Sequence, residues 1–198
     1  MTGESAARTE IAGVTDFVAY REQRQSSATT PQTNDIPLLA DASTESPNAQ
    51  AVVVELERQA KAQVVRLASL SEDETFEDGM ENTLSRGVTK LVMEFGGAAV
   101  RALRSAYMSR QIDASVLEEA LRWLGSLDHQ QTRDDRFWLF VWGLRDTDRR
   151  VKDASTLALA CLEDPNAVPY LEWEAEGEAL PALKSFMLKV AAELREPV

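Results

Sequence analysis

The sequence predicts an all-α protein built from antiparallel helix hairpins, and three observations carry that prediction. Apolar residues recur at helical spacing through nearly all of 51–195, no segment alternates apolar and polar residues as a half-buried strand would, and the stripes are broken at short intervals by Gly, Pro and Asp turns. The core of the pattern is Phe137 to Leu162, FWLFVWGLRDTDRRVKDASTLALACL, read as two helices around a polar turn. The first helix of that pair is apolar nearly all round, which predicts an inner element buried on several sides.

The helices follow in order. Residues 1–50 differ from the rest. Ile11, Val14, Phe17 and Val18 allow a short amphipathic helix over 10–24. From Gln25 to Gln50 there is no Lys, Arg or aromatic residue, so this stretch reads as a disordered linker with too little apolar area to offset its ordering entropy. The helical domain is placed at 51–198. Val53, Leu56, Ala60, Val64, Leu67 and Leu70 form its first stripe, and SEDE at Ser71 to Glu74 has capping-box spacing. Met80, Leu84, Val88, Leu91, Val92 and Phe95 share one face of a second helix, which Gly96-Gly97 ends. Val100, Leu103, Ala106 and Tyr107 mark a third. Val116, Leu117, Ala120, Leu121 and Leu124 mark a fourth, for which Ser115 and Glu118 are a candidate capping box.

Asp134-Asp135 can cap the fifth helix and favour its dipole, and Asp148 can cap the sixth. In the sixth, Val151, Ala154, Leu157, Ala158 and Cys161 face inward, while Lys152, Asp153, Ser155 and Thr156 face out. A seventh helix over 167–175 tolerates Pro169 only in its first turn. Pro181 opens an eighth, lined by Leu183, Phe186, Met187, Val190, Ala191 and Leu194. Trp123, Trp138 and Trp142 fall at spacings that place them in the core.

Composition narrows function. There are 33 acidic and 21 basic residues, a formal net charge of −12, which repels phosphate backbones and disfavours nucleic acid and anionic membranes as partners. The single cysteine, Cys161, excludes an internal disulfide and suits packing on the sixth helix. No apolar run reaches a membrane span, and the N-terminus lacks a secretory layout, so a cytoplasmic location is expected. His129, the only histidine, lies in a polar loop with no sequence support for a catalytic pairing. HExxH, CxxC and Gly-rich phosphate loops are missing, and neither a metal nor a cofactor is expected.

A repeat search adds a resemblance. Val151, Ala154, Leu157, Ala158 and Cys161 match Leu180, Leu183, Phe186, Met187 and Val190 at a constant offset of 29 residues. DTDRRVKDA at Asp146 to Ala154 resembles the inter-helix turn of HEAT-like repeats: an Asp-containing turn, then Val, a basic residue and Ala two positions on. EDPNAVPYL at Glu163 to Leu171 is similar to the start of the next unit in those families. The resemblance is carried by 134–195, and the short spacing is closest to the repeats of phycobilisome lyase-like proteins. It implies a short right-handed α-solenoid whose ridge or groove binds another macromolecule. A tetrapyrrole lyase or chaperone-lyase is the alternative it implies, and a nucleic-acid-binding HEAT-like protein is disfavoured by charge. HEAT-like hydroxylases hold iron on His-Glu dipeptides, which this chain lacks.

Stacked hairpins present an extended surface, so a non-enzymatic protein-interaction module is the expected function: an adaptor, an inhibitor or antitoxin-like protein, or an assembly factor. The most biased stretch is C-terminal. Between Lys152 and Lys184 there is no Lys or Arg, while Asp153, Glu163, Asp164, Glu172, Glu174, Glu176 and Glu178 are acidic. Tyr170, Glu172, Trp173, Glu174, Glu176 and Glu178 are therefore the candidate contact residues for a protein partner, with a basic one favoured by charge.

Overall fold

The computed structural model describes residues 47–71 and 81–196. The possible helix at 10–24, the stretch 1–46 and residues 72–74 of the SEDE box lie outside the described residues. Among the described residues eight α-helices run in order: α1 (Pro47–Leu70), α2 (Thr83–Phe95), α3 (Gly97–Met108), α4 (Ala114–Ser126), α5 (Arg133–Gly143), α6 (Arg149–Leu162), α7 (Val168–Gly177) and α8 (Pro181–Arg195). Short 3-10 turns at Gln130–Thr132 and Pro165–Ala167 lead into α5 and α7, and the described residues contain no strand.

Local chemistry explains most boundaries. At the start of α2, Asn82 Oδ1 accepts from the Ser85 amide at 2.8 Å, and Ser85 Oγ accepts from the Asn82 amide at 2.9 Å, a reciprocal cap. Gly96, at φ 56°, separates α2 from α3 without a linker. Asp148 caps α6 by accepting from the Arg150 amide at 2.9 Å. Pro169 and Pro181 lie in the first turns of α7 and α8, where their missing amides cost nothing. The expected Ser115–Glu118 box does not form. The N-cap is Asp113, two residues upstream, and Glu118 instead accepts from Arg122 at 3.1 Å along the helix. Asp134 and Asp135 sit inside the first turn of α5, so they favour its dipole but do not cap it.

Helices α3, α4, α5, α6 and α8 each pack on the helix two places before them, giving one file of α1, α3 and α5 and another of α2, α4, α6 and α8. The pairs α1–α2 and α5–α6 join the files, and α7 packs on α8. Two expectations are corrected here. α5 is packed by α3, α4 and α6 as an inner element is, but it leaves Trp138 56% exposed and so is not buried all round; α6, packed on α4, α5 and α8, is the more fully buried helix. Ser155 and Thr156, expected to face out, are fully buried. The cause is packing from several sides around a helix of small residues. Ala154, Ala158 and Ala160 let three neighbours close in, so its polar positions are covered too.

The two buried hydroxyls fare differently. Thr156 donates to the Lys152 carbonyl at 2.9 Å. Ser155 Oγ, wedged against Gly143 of α5, has no hydrogen-bond partner among the described residues. Ser155→Ala removes an unpaired buried polar group, so chemical denaturation should show a gain of about 1 kcal/mol. A loss would mean that the hydroxyl is paired in solution.

Candidate interaction surface

The outward side of α5 and α7 carries a chain of aromatic contacts. Phe137 and Trp138 meet edge to face at 5.2 Å between ring centroids, Trp138 and Tyr170 at 5.8 Å, and Phe137 and Tyr170 at 6.1 Å. Trp173 follows Tyr170 by three residues, about one helical turn along α7. Trp138 and Trp173 are 56% and 59% exposed, while Phe137 is buried beneath them. One turn further along α5, Trp142 meets Tyr107 of α3 edge to face at 6.0 Å.

Two guanidinium groups cover rings on α5 and α7. Arg104 of α3 lies over Trp142 at 5.2 Å, and Arg145, just past α5, lies over Trp173 of α7 at 4.7 Å. Each arginine lies on, or just past, the helix two places before that of its ring. Tyr107 donates to Asp146 Oδ1 at 3.1 Å; burial and then that carboxylate push its hydroxyl up to about 12, so it stays protonated.

The acidic stretch of the sequence is mostly paired in three dimensions. Glu174 accepts from Arg145 at 2.9 Å, Glu178 from Lys152 at 2.8 Å, and Glu172 from Arg195. Asp164 faces Arg133 at 3.5 Å and Asp153 faces Arg122 at 3.8 Å. Among the described residues, Glu163 and Glu176 are exposed and make no ion pair. The six expected contact residues therefore divide. Tyr170, Trp173 and Glu176 lie on the exposed part of α7, whereas Glu172, Glu174 and Glu178 each hold a cation of this chain. Glu178 also accepts from the Leu180 amide at 3.0 Å and so fixes the turn into α8.

The Lys152 hydrogen bond, chiefly, holds the Glu178 carboxyl below its ordinary 4.5. A depressed carboxyl contributes stability that is complete above 4.5 and is lost as pH falls through the folded value. Glu178→Gln keeps an acceptor for Leu180 but loses the charge. It should cost about 1 kcal/mol at pH 7, with the gap from the native protein narrowing as the pH drops below about 4. A gap that stays constant in urea titrations at both pH values would show that the charge contributes nothing.

Sequence reasoning missed Trp138, which it assigned to the core, and Arg145. A signal existed: Asp134, Trp138 and Arg145 are separated by 4 and 7 residues and so share one face of a helix, with polar residues at both ends. His129 pairs locally with Thr132, Nδ1 to Oγ1 at 3.0 Å, and Cys161 is buried. No group of three or more metal-ligating side chains occurs among the described residues, and no described helix is long and apolar enough to cross a membrane. No protein-family model, curated protein or solved structure matches the chain.

Proposed function

We propose that the protein is a non-enzymatic interaction module, a short HEAT-like stack of helix hairpins that holds a protein partner on the outer side of α5 and α7. The observation that carries this reading is a pair of tryptophans on α5 and α7, each more than half exposed, with Tyr170 in contact with the first and one helical turn from the second. Each leaves on the order of 100 Å² of mostly apolar ring in water, worth roughly 2–3 kcal/mol if a partner covers it. Single exposed apolar residues are ordinary, but two exposed tryptophans with Tyr and Arg beside them have the composition of an interface hot spot. Glu176 at the rim, together with the overall negative charge, favours a basic partner through steering.

The test compares pull-downs from native lysate by the intact protein and by Trp138→Ala/Trp173→Ala. One stoichiometric protein, retained by the first and lost by the second at equal thermal stability, is the expected result. Capture of the same protein by both would remove the α5–α7 surface from the reading. A coloured small molecule co-purifying in place of a protein would favour the lyase-like alternative.

A further inference from the structure

We infer that Trp173 and Glu174 form an arginine subsite, that Arg145 of the same chain fills it, and that a partner's arginine must displace Arg145 to dock. The inference rests on the interaction-module reading and gives that partner a chemistry. A guanidinium is recognised by an aromatic face below it and a carboxylate beside it, since a planar, weakly hydrated cation can use both at once. Trp173 and Glu174 supply that pair to Arg145: its Cζ lies 4.7 Å from the ring centroid, and its Nε donates to Glu174 Oε1 at 2.9 Å. Glu174 is the less accessible partner, with 14% of its side chain exposed against 53% for Arg145. The carboxylate is thus set into the surface, and the cation is the removable part.

The Arg145 side chain makes its contacts on α7, away from the helix that carries it. Arg145 follows the last turn of α5, where the Leu144 and Arg145 amides bond back to the Phe140 and Trp142 carbonyls, and its side chain reaches across to α7 through solvent. An exposed ion pair of this kind contributes about 0–1 kcal/mol, and the stacking adds about 0.5–1 kcal/mol. An incoming arginine with further contacts to Trp138 and Tyr170 can outcompete such a contact. The cost of displacement acts as a filter. A lone arginine gains nothing, while a segment that also covers the neighbouring rings does.

Fluorescence anisotropy with a fluorescein-labelled Gly-Arg repeat peptide, and with its Gly-Lys counterpart, tests this at about 0.15 M salt. Four proteins are compared: native, Arg145→Ala, Arg149→Ala and Arg145→Ala/Trp173→Ala. Arg149 is exposed on α6 and controls for the change of one charge. Arg145→Ala should bind the arginine peptide at least threefold more tightly than Arg149→Ala, with a smaller gain for the lysine peptide, and the gain should vanish in the double variant. Equal affinity of the two single variants, or a gain that survives loss of Trp173, would overturn the inference and leave the basic-partner reading standing. Weaker binding by Arg145→Ala would make Arg145 itself a partner contact and overturn the inference in the opposite sense. No binding by any of the four would overturn the arginine subsite and the preference for a basic partner together.

Discussion

Replacing Phe140 by alanine should cost about 4 kcal/mol, while the same change two residues earlier, at Trp138, should cost about 1 kcal/mol. Phe140 is fully buried and heads the largest side chains of the interior, where α5 packs on α3 and α6. Its removal deletes a ring from a closely packed region and leaves a cavity that α6, held on three sides, cannot collapse to fill. Trp138 loses only edge-to-face contacts with Phe137 and Tyr170, because more than half of it already lies in water. A loss of about 4 kcal/mol is a large share of a typical folding free energy and should lower the melting temperature by about 10–15 °C. Thermal denaturation of the two variants side by side checks it. Equal losses would mean that Trp138 is buried in solution, and the interaction surface would go with it.

The second large effect concerns the seam between α4 and α6. A Cβ on Gly125 would lie 2.7 Å from the Cα of Ala158 and 3.0 Å from its Cβ. The first of these atoms belongs to the backbone of a helix packed on three sides, so it cannot rotate away. Gly125→Ala gains about 1 kcal/mol of helix propensity but forces α4 and α6 apart, at a cost of about 3 kcal/mol. A net loss of about 2 kcal/mol is expected. Gly177, the last residue of α7, has nothing within 4 Å of its would-be Cβ, so Gly177→Ala should be neutral or gain up to about 0.5 kcal/mol. Urea titrations of the two variants should therefore move in opposite directions. A stabilised Gly125→Ala would show that the seam yields where the structure holds it closed.

The features legible from the residues alone are local. Eight helical stretches, the cap at Asp148, the stop at Gly96 and the first-turn prolines at 169 and 181 all follow from interactions within a few residues, and all appear in the structure. The inward stripe of α8 was legible for the same reason: Leu183, Phe186, Met187, Val190 and Ala191 are buried as their spacing requires.

Only the tertiary structure decided which helix is central and where the charge lies. The apolar run of α5 suggested burial all round, yet α5 and α6 each meet three helices, and it is side-chain size that decides how fully those neighbours close in. Small side chains on α6 admit α4, α5 and α8 together and so bury Ser155 and Thr156. The acidic run of α7 likewise suggested a bare charged face. Its partners Arg145, Lys152 and Arg195 lie 29, 26 and 23 residues away from Glu174, Glu178 and Glu172, a separation that no window along the chain connects. Charge counted along a sequence assumes that like residues stand together and opposite ones apart. Packing helices in files brings those cations against the carboxylates, and the aromatic pair and Glu176 stay outward on α5 and α7.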